Sequence, residues 1–212
     1  MTTCSKQLTF KKWVLFTTYG WFLGIILVIG FALAGELLIK TSDESGGQAA
    51  VGIGMGAGVG FMQWMALREY LTTSQRLFWC SFIGFSIAFI LRDFITSAFD
   101  IPLTVESTVP IAVILGALIC GWLQYYFVLK PSMNKSVTWI FYSIAGWLMA
   151  TLITMSSSML NLKFAENIPK VLILIFALLL LSIGGPVLGF ITGTFIVTKM
   201  NTLNQNSGQN LQ

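Results

Sequence analysis

Six apolar runs, each about as long as a bilayer is thick, limit what this chain can fold into more than any other feature. They cover residues 13–39, 49–67, 77–98, 109–129, 137–160 and 171–197. Crossing the ~30 Å hydrocarbon core takes roughly 20 residues of α-helix. Inside that core no water can satisfy backbone N–H and C=O groups, so only helices and closed barrels span it. Barrel strands alternate apolar and polar residues, whereas these runs are continuous. The chain therefore reads as an all-α, polytopic membrane protein with six transmembrane helices.

Composition agrees, since 56% of the residues are hydrophobic and 9% are charged, against about 25% charged in a soluble domain. Polar residues collect between the runs, at Ser42–Gly47, Asp100–Ser107, Lys130–Lys135 and Asn161–Lys170. Pro102, Pro110, Pro131 and Pro169 also fall at boundaries, where a missing N–H costs least. Residues 1–12 read as a cytoplasmic N-terminal segment. Residues 198–212, rich in Asn, Gln and Ser, read as a disordered cytoplasmic tail. The first run imitates a secretory signal, with Lys11 and Lys12 before it and Ala32-Leu33-Ala34 near its end. It is longer than the usual signal core of about 7–15 residues and is expected to stay as a helix.

Charge sets the orientation. Lys6, Lys11, Lys12, Arg68, Arg76, Lys130, Lys135 and Lys199 fall on one side of the predicted topology, and Lys40, Lys163 and Lys170 on the other. Placing Arg92 with the minority still leaves a clear bias, and basic residues favour the cytoplasmic side. Both termini are thus expected in the cytoplasm, with the protein in a bacterial inner membrane. The net charge of +4 follows from this placement and does not mark a nucleic-acid surface.

Histidine is absent, and Cys4, Cys80 and Cys120 are far apart. No Ser-His-Asp or Cys-His nucleophile can be assembled, and neither a zinc site nor a disulfide framework is suggested. No phosphate-binding loop of the Walker type occurs. The expectation is a non-enzyme with no cofactor and no metal.

The runs repeat in pairs. Trp13, Thr17, Gly20, Trp21 and Gly24 align with Leu77, Ser81, Gly84, Phe85 and Ala88, and with Trp139, Ser143, Gly146, Trp147 and Ala150. The even runs carry Gly56, Gly60, Gln63 and Trp64, then Ala117, Gly121, Gln124 and Tyr125, then Gly185, Gly189, Thr192 and Gly193. The predicted unit is a helical hairpin used three times, giving a pseudo-threefold bundle. Small residues four apart let membrane helices approach closely. Thr17 and Ser81 each follow a basic residue by five positions, while Gln63, Gln124 and Thr192 precede one by five to seven. At 1.5 Å per residue they share a layer roughly 7–10 Å deep, which Ser143 joins through the repeat. This layer, Thr17, Ser81, Ser143, Gln63, Gln124 and Thr192, either bonds helix to helix or lines a shallow solute or head-group site.

Two further features stand out. Arg92 and Asp93 interrupt the third run, and ionisable groups in a span mark function by default. Adjacent helical residues point about 100° apart, so other partners are expected: Glu36 for Arg92, and the Ser156-Ser157-Ser158 run for Asp93. Gly184-Gly185-Pro186 predicts a kink or break in the sixth helix, a feature that lines sites in some transporters.

GAGVGFMQWMALR (Gly56 to Arg68) and GALICGWLQYYFVLK (Gly116 to Lys130) resemble a group of bacterial, cyanobacterial-type six-span membrane proteins. Those proteins repeat a G-x-x-x-G-x-x-Q-W-x-x-L-R pattern and end on a G-x-x-x-G-x-x-T-G version, matched by Gly185, Gly189, Thr192 and Gly193. Departures are an extra residue before Arg68, Tyr125 for the tryptophan and Lys130 for the arginine. The resemblance implies six spans and no catalytic residues.

The functional expectation is an accessory or assembly subunit of a membrane complex, or a small carrier. Its partners would be membrane lipid and a membrane protein or a second copy of the chain, with no nucleic acid. Competing readings are a substrate-binding subunit of a multi-component uptake transporter and an intramembrane lipid-modifying enzyme using Glu36, Asp93 or the serine run.

Overall fold

The computed structural model describes residues 8–39, 47–99, 105–132, 137–164 and 169–209. The apolar runs form α1 (Phe10–Ile39), α2 (Gly47–Leu67), α3 (Gln75–Phe99), α4 (Val105–Gln124), α5 (Thr138–Phe164) and α6 (Lys170–Gln209). The axis of α4 continues through a π-helical stretch, Tyr125–Leu129, and a last turn, Lys130–Ser132. All six helices are long and apolar enough to cross a membrane, and no strand occurs among the described residues.

Each helix packs on its neighbours in sequence, and α6 returns to pack on α1, closing a ring. Small residues make the close approaches. A Cβ on Gly20 would stand 2.9 Å from the Val59 Cα, one on Gly84 2.7 Å from the Cys120 Cα, and one on Gly146 3.0 Å from a Leu188 methyl. Between α2 and α3, Gly60 abuts Ser81; between α4 and α5, Gly121 abuts Ser143; between α6 and α1, Gly189 abuts Thr17. Lipid gives no hydrophobic drive for helix association, so contacts this close supply it.

Two apolar clusters fill the ring. One lies at the end where the described chain begins and finishes, here the terminal end, and includes Leu8, Trp13, Leu67, Leu77, Leu129, Trp139 and Ile196. The other lies towards the distal end and includes Trp21, Met55, Phe85, Phe89, Val113, Trp147 and Leu188. Large apolar side chains such as Phe94, Phe141 and Phe176 are exposed on the outside, as a lipid-facing surface requires.

Two features of α6 bear on the sequence reading. The helix assignment is continuous through Pro186. Gly184 and Gly185 lie against the Trp21 ring, whose indole N–H donates to the Leu181 carbonyl at 2.9 Å. The helix also continues beyond residue 197 to Gln209 in place of a disordered tail. Met200 is buried in the terminal-end cluster, and the Thr198 and Thr202 hydroxyls donate to the carbonyls of Thr194 and Thr198.

Candidate functional site

On every helix one polar residue falls between the two apolar clusters: Thr17, Gln63, Ser81, Gln124, Ser143 and Thr192. None is more than 3% exposed. The layer is bonded from helix to helix. Gln124 donates from Nε2 to the Ser81 Oγ at 2.8 Å and accepts at Oε1 from the Trp139 indole at 2.8 Å, which ties α3, α4 and α5 together. The Ser81 hydroxyl donates to the Leu77 carbonyl, and that of Ser143 to the Ala117 carbonyl across to α4. At the seam that closes the ring, the Trp13 indole donates to Thr192 Oγ1 at 3.0 Å, and the Thr192 hydroxyl donates to the Leu188 carbonyl. Leu77, the α3 counterpart of Trp13 and Trp139 in the sequence alignment, has no side-chain donor. The Thr17 hydroxyl is buried with no hydrogen-bond partner among the described residues.

The π-helical stretch after Gln124 keeps α4 in step with the layer. Buried pairs follow Gln63 at the third and fourth positions (Ala66, Leu67) and Thr192 likewise (Phe195, Ile196), but follow Gln124 at the fourth and fifth (Val128, Leu129). An i→i+5 turn takes up one additional residue without changing the face presented to the core. The Lys130 N–H donating to the Tyr125 carbonyl closes such a turn.

Arg92 and Asp93 lie near the distal end, where described residues engage both. They pair with each other at 2.8 Å, because the arginine stem reaches back across the angle between adjacent Cβ atoms. Arg92 also donates from Nε and from a terminal nitrogen to Thr108 Oγ1, at 3.2 and 2.8 Å. The second Asp93 oxygen accepts the Ala49 N–H at 2.7 Å, capping the first turn of α2. The pair therefore staples the end of α3 to the starts of α2 and α4. The Glu36, Ser157 and Ser158 side chains lie outside the described residues, and the exposed Ser156 donates to the Ile153 carbonyl. Thr108 and the Ala49 N–H carry no pattern that would single them out in the sequence. Trp13 and Trp139 do, since they share a position on two odd helices.

One helical turn above the polar layer, Trp21, Phe85 and Trp147 cluster, with ring centroids 4.1 Å apart for Phe85 and Trp147 and 5.9 Å for Trp21 and Trp147. Above them the ring encloses a chamber of about 240 Å³, to which all six helices contribute. Its walls include Val28, Val51, Phe89, Val113 and Leu181, and among the described residues its polar side chains are those of Thr151 and Thr154. The Thr154 hydroxyl donates to the Thr151 carbonyl, so the wall is effectively apolar. Among the described residues no three His, Cys, Asp or Glu side chains gather where a metal ion could be held. No family model, curated protein or solved structure matches the chain.

Proposed function

We propose that this chain is a non-enzymatic integral membrane protein of a bacterial inner membrane, a small carrier whose working part is the interior of its helix ring. The carrying observation is that this interior is one-sided. Chamber walls from all six helices, floored by the aromatic triad, lie in the distal half, while the polar layer lies below them and an apolar cluster fills the terminal half. In this reading the polar layer, in which Gln124 bonds Ser81 and Trp139 and Thr192 bonds Trp13, is the seal, and the chamber is the site. The pseudo-threefold hairpin belongs to the same proposal. Supporting it, Gly20, Gly84 and Gly146 each meet the residue just before the second glycine of their partner helix. Gly60, Gly121 and Gly189 each meet the layer residue of the next helix.

An accessory or assembly subunit is the second reading, favoured by the broad apolar flank of α6, where Leu172, Leu174, Phe176 and Leu179 are all exposed. Purification in a mild detergent followed by native mass spectrometry tests the two. One small apolar molecule retained per chain is the expected outcome. A stoichiometric protein partner with no retained small molecule would replace the carrier by the subunit.

A further inference from the structure

We propose that the chamber takes one hydrocarbon chain of a membrane lipid, which enters sideways from the bilayer between the distal halves of α1 and α6. The proposal rests on the carrier reading and names its cargo class and entry route. Among the described residues the lining has no charged side chain, and the Thr154 hydroxyl is turned to a backbone carbonyl. A polar solute would leave its hydrogen-bonding groups unmatched there, at a cost of roughly 2–7 kcal/mol per group. Apolar cavities of about 150 Å³ stay dry and accept molecules such as benzene. This one is larger, at about 240 Å³. It is also elongated along the helices: on α1 its lining runs from Trp21 to Ile29, about 12 Å of rise, which is the direction lipid chains take.

The entry route follows from where the α1–α6 seam is tight. Trp13 meets Gly193, Val14 meets Gly189, and Trp21 meets Gly184 and Gly185, all at or below the chamber floor. The Trp21 bond to Leu181 stands at the top of this zipped region. α1 and α6 are also the two least buried spans of the ring. Ile29 lines the chamber and is yet 55% exposed, and Leu181 lines it from the α6 side, so these two residues flank the opening.

The test uses the full chain in a bromine-free detergent, with a dibrominated fatty acid as probe and tryptophan emission as readout. Bromine quenches indoles on contact, and Trp21 and Trp147 form the chamber floor. Saturable quenching that an unbrominated fatty acid of equal length reverses is expected. Val113→Phe, which fills the chamber, should abolish the saturable component while leaving the melting temperature unchanged or raised. Quenching that grows linearly and resists competition would overturn the proposal, as would full saturable quenching in a folded Val113→Phe protein. Should that variant not fold, competition in the unmodified chain decides alone. If mass spectrometry finds a retained molecule without a long chain and the fatty acid does not compete, the chain proposal falls and the carrier stands. If nothing is retained and nothing saturates, both fall.

Discussion

Gln124 holds three helices with one amide, whereas for Gln63, its counterpart on α2, the sequence alignment offers Leu77, which has no indole donor, in the place of Trp139. Interhelical hydrogen bonds in membrane proteins are worth about 0.6 kcal/mol on average and up to ~1.7. Gln124→Leu removes two and strands the Trp139 N–H, so it should cost roughly 1–3 kcal/mol. Gln63→Leu should cost less, and thermal melts of the two purified variants compare them directly. Thr17 and Thr192 give the opposite contrast. The Thr17 hydroxyl is buried without a partner, so Thr17→Val should stabilise by about 1 kcal/mol. Thr192 accepts from Trp13 and donates to Leu188, so Thr192→Val should destabilise by a similar amount. Equal melting temperatures for the two valine variants would contradict the bonding pattern. That Ser81 and Gln124 stand at one level was legible in the sequence, because a fixed rise per residue converts spacing from a basic residue into distance along the helix. Which hydroxyl finds a partner was not, because that depends on rotamers and on the neighbour presented by another helix.

Among the elements, α1 and α2 make the closest approach of the ring, with Gly58 against the backbone of Gly24. No side chain there can move aside, so Gly58→Ala must separate the two helices, and overpacking of this kind costs about 1–3 kcal/mol or more. Gly30 lies on the same α1 with open space around it, so Gly30→Ala should be neutral or gain up to about 1 kcal/mol from helix propensity. Size-exclusion profiles and melting curves of the two alanine variants should diverge accordingly. Both glycines belong to similar apolar stretches, and sequence alone does not separate the packed one from the free one. Helix positions were legible because hydrophobic length is a direct physical requirement of the bilayer. The packing of Trp21 against Gly184 and Gly185 was not, since it joins residues more than 150 apart in the chain. The extension to Gln209 escaped for a related reason. Composition reports on a segment's own apolar content, while Met200 is buried by residues from the rest of the ring.

At the scale of the whole molecule, charge and packing together make orientation testable. Lys12 pairs with Glu69 at 3.3 Å and lies over the Tyr70 ring, and Lys130 lies over Tyr126, so these basic residues gather at the terminal end. Arg92 is near the other end, with its charge countered by Asp93. By the positive-inside rule the terminal end should face the cytoplasm. Cys80 and Cys120 are buried in the ring, so with Cys4→Ser the remaining thiols should be silent towards a membrane-impermeant maleimide. On that background Thr72→Cys places an exposed thiol at the turn between α2 and α3, and Phe99→Cys places one at the distal end of α3. In intact cells only Phe99→Cys should label, and both should label once the membrane is permeabilised. Labelling of Thr72→Cys alone in intact cells would invert the topology and place the chamber on the cytoplasmic side. Labelling of Cys80 or Cys120 in the folded protein would strike deeper, because those thiols react only if the closed ring itself opens.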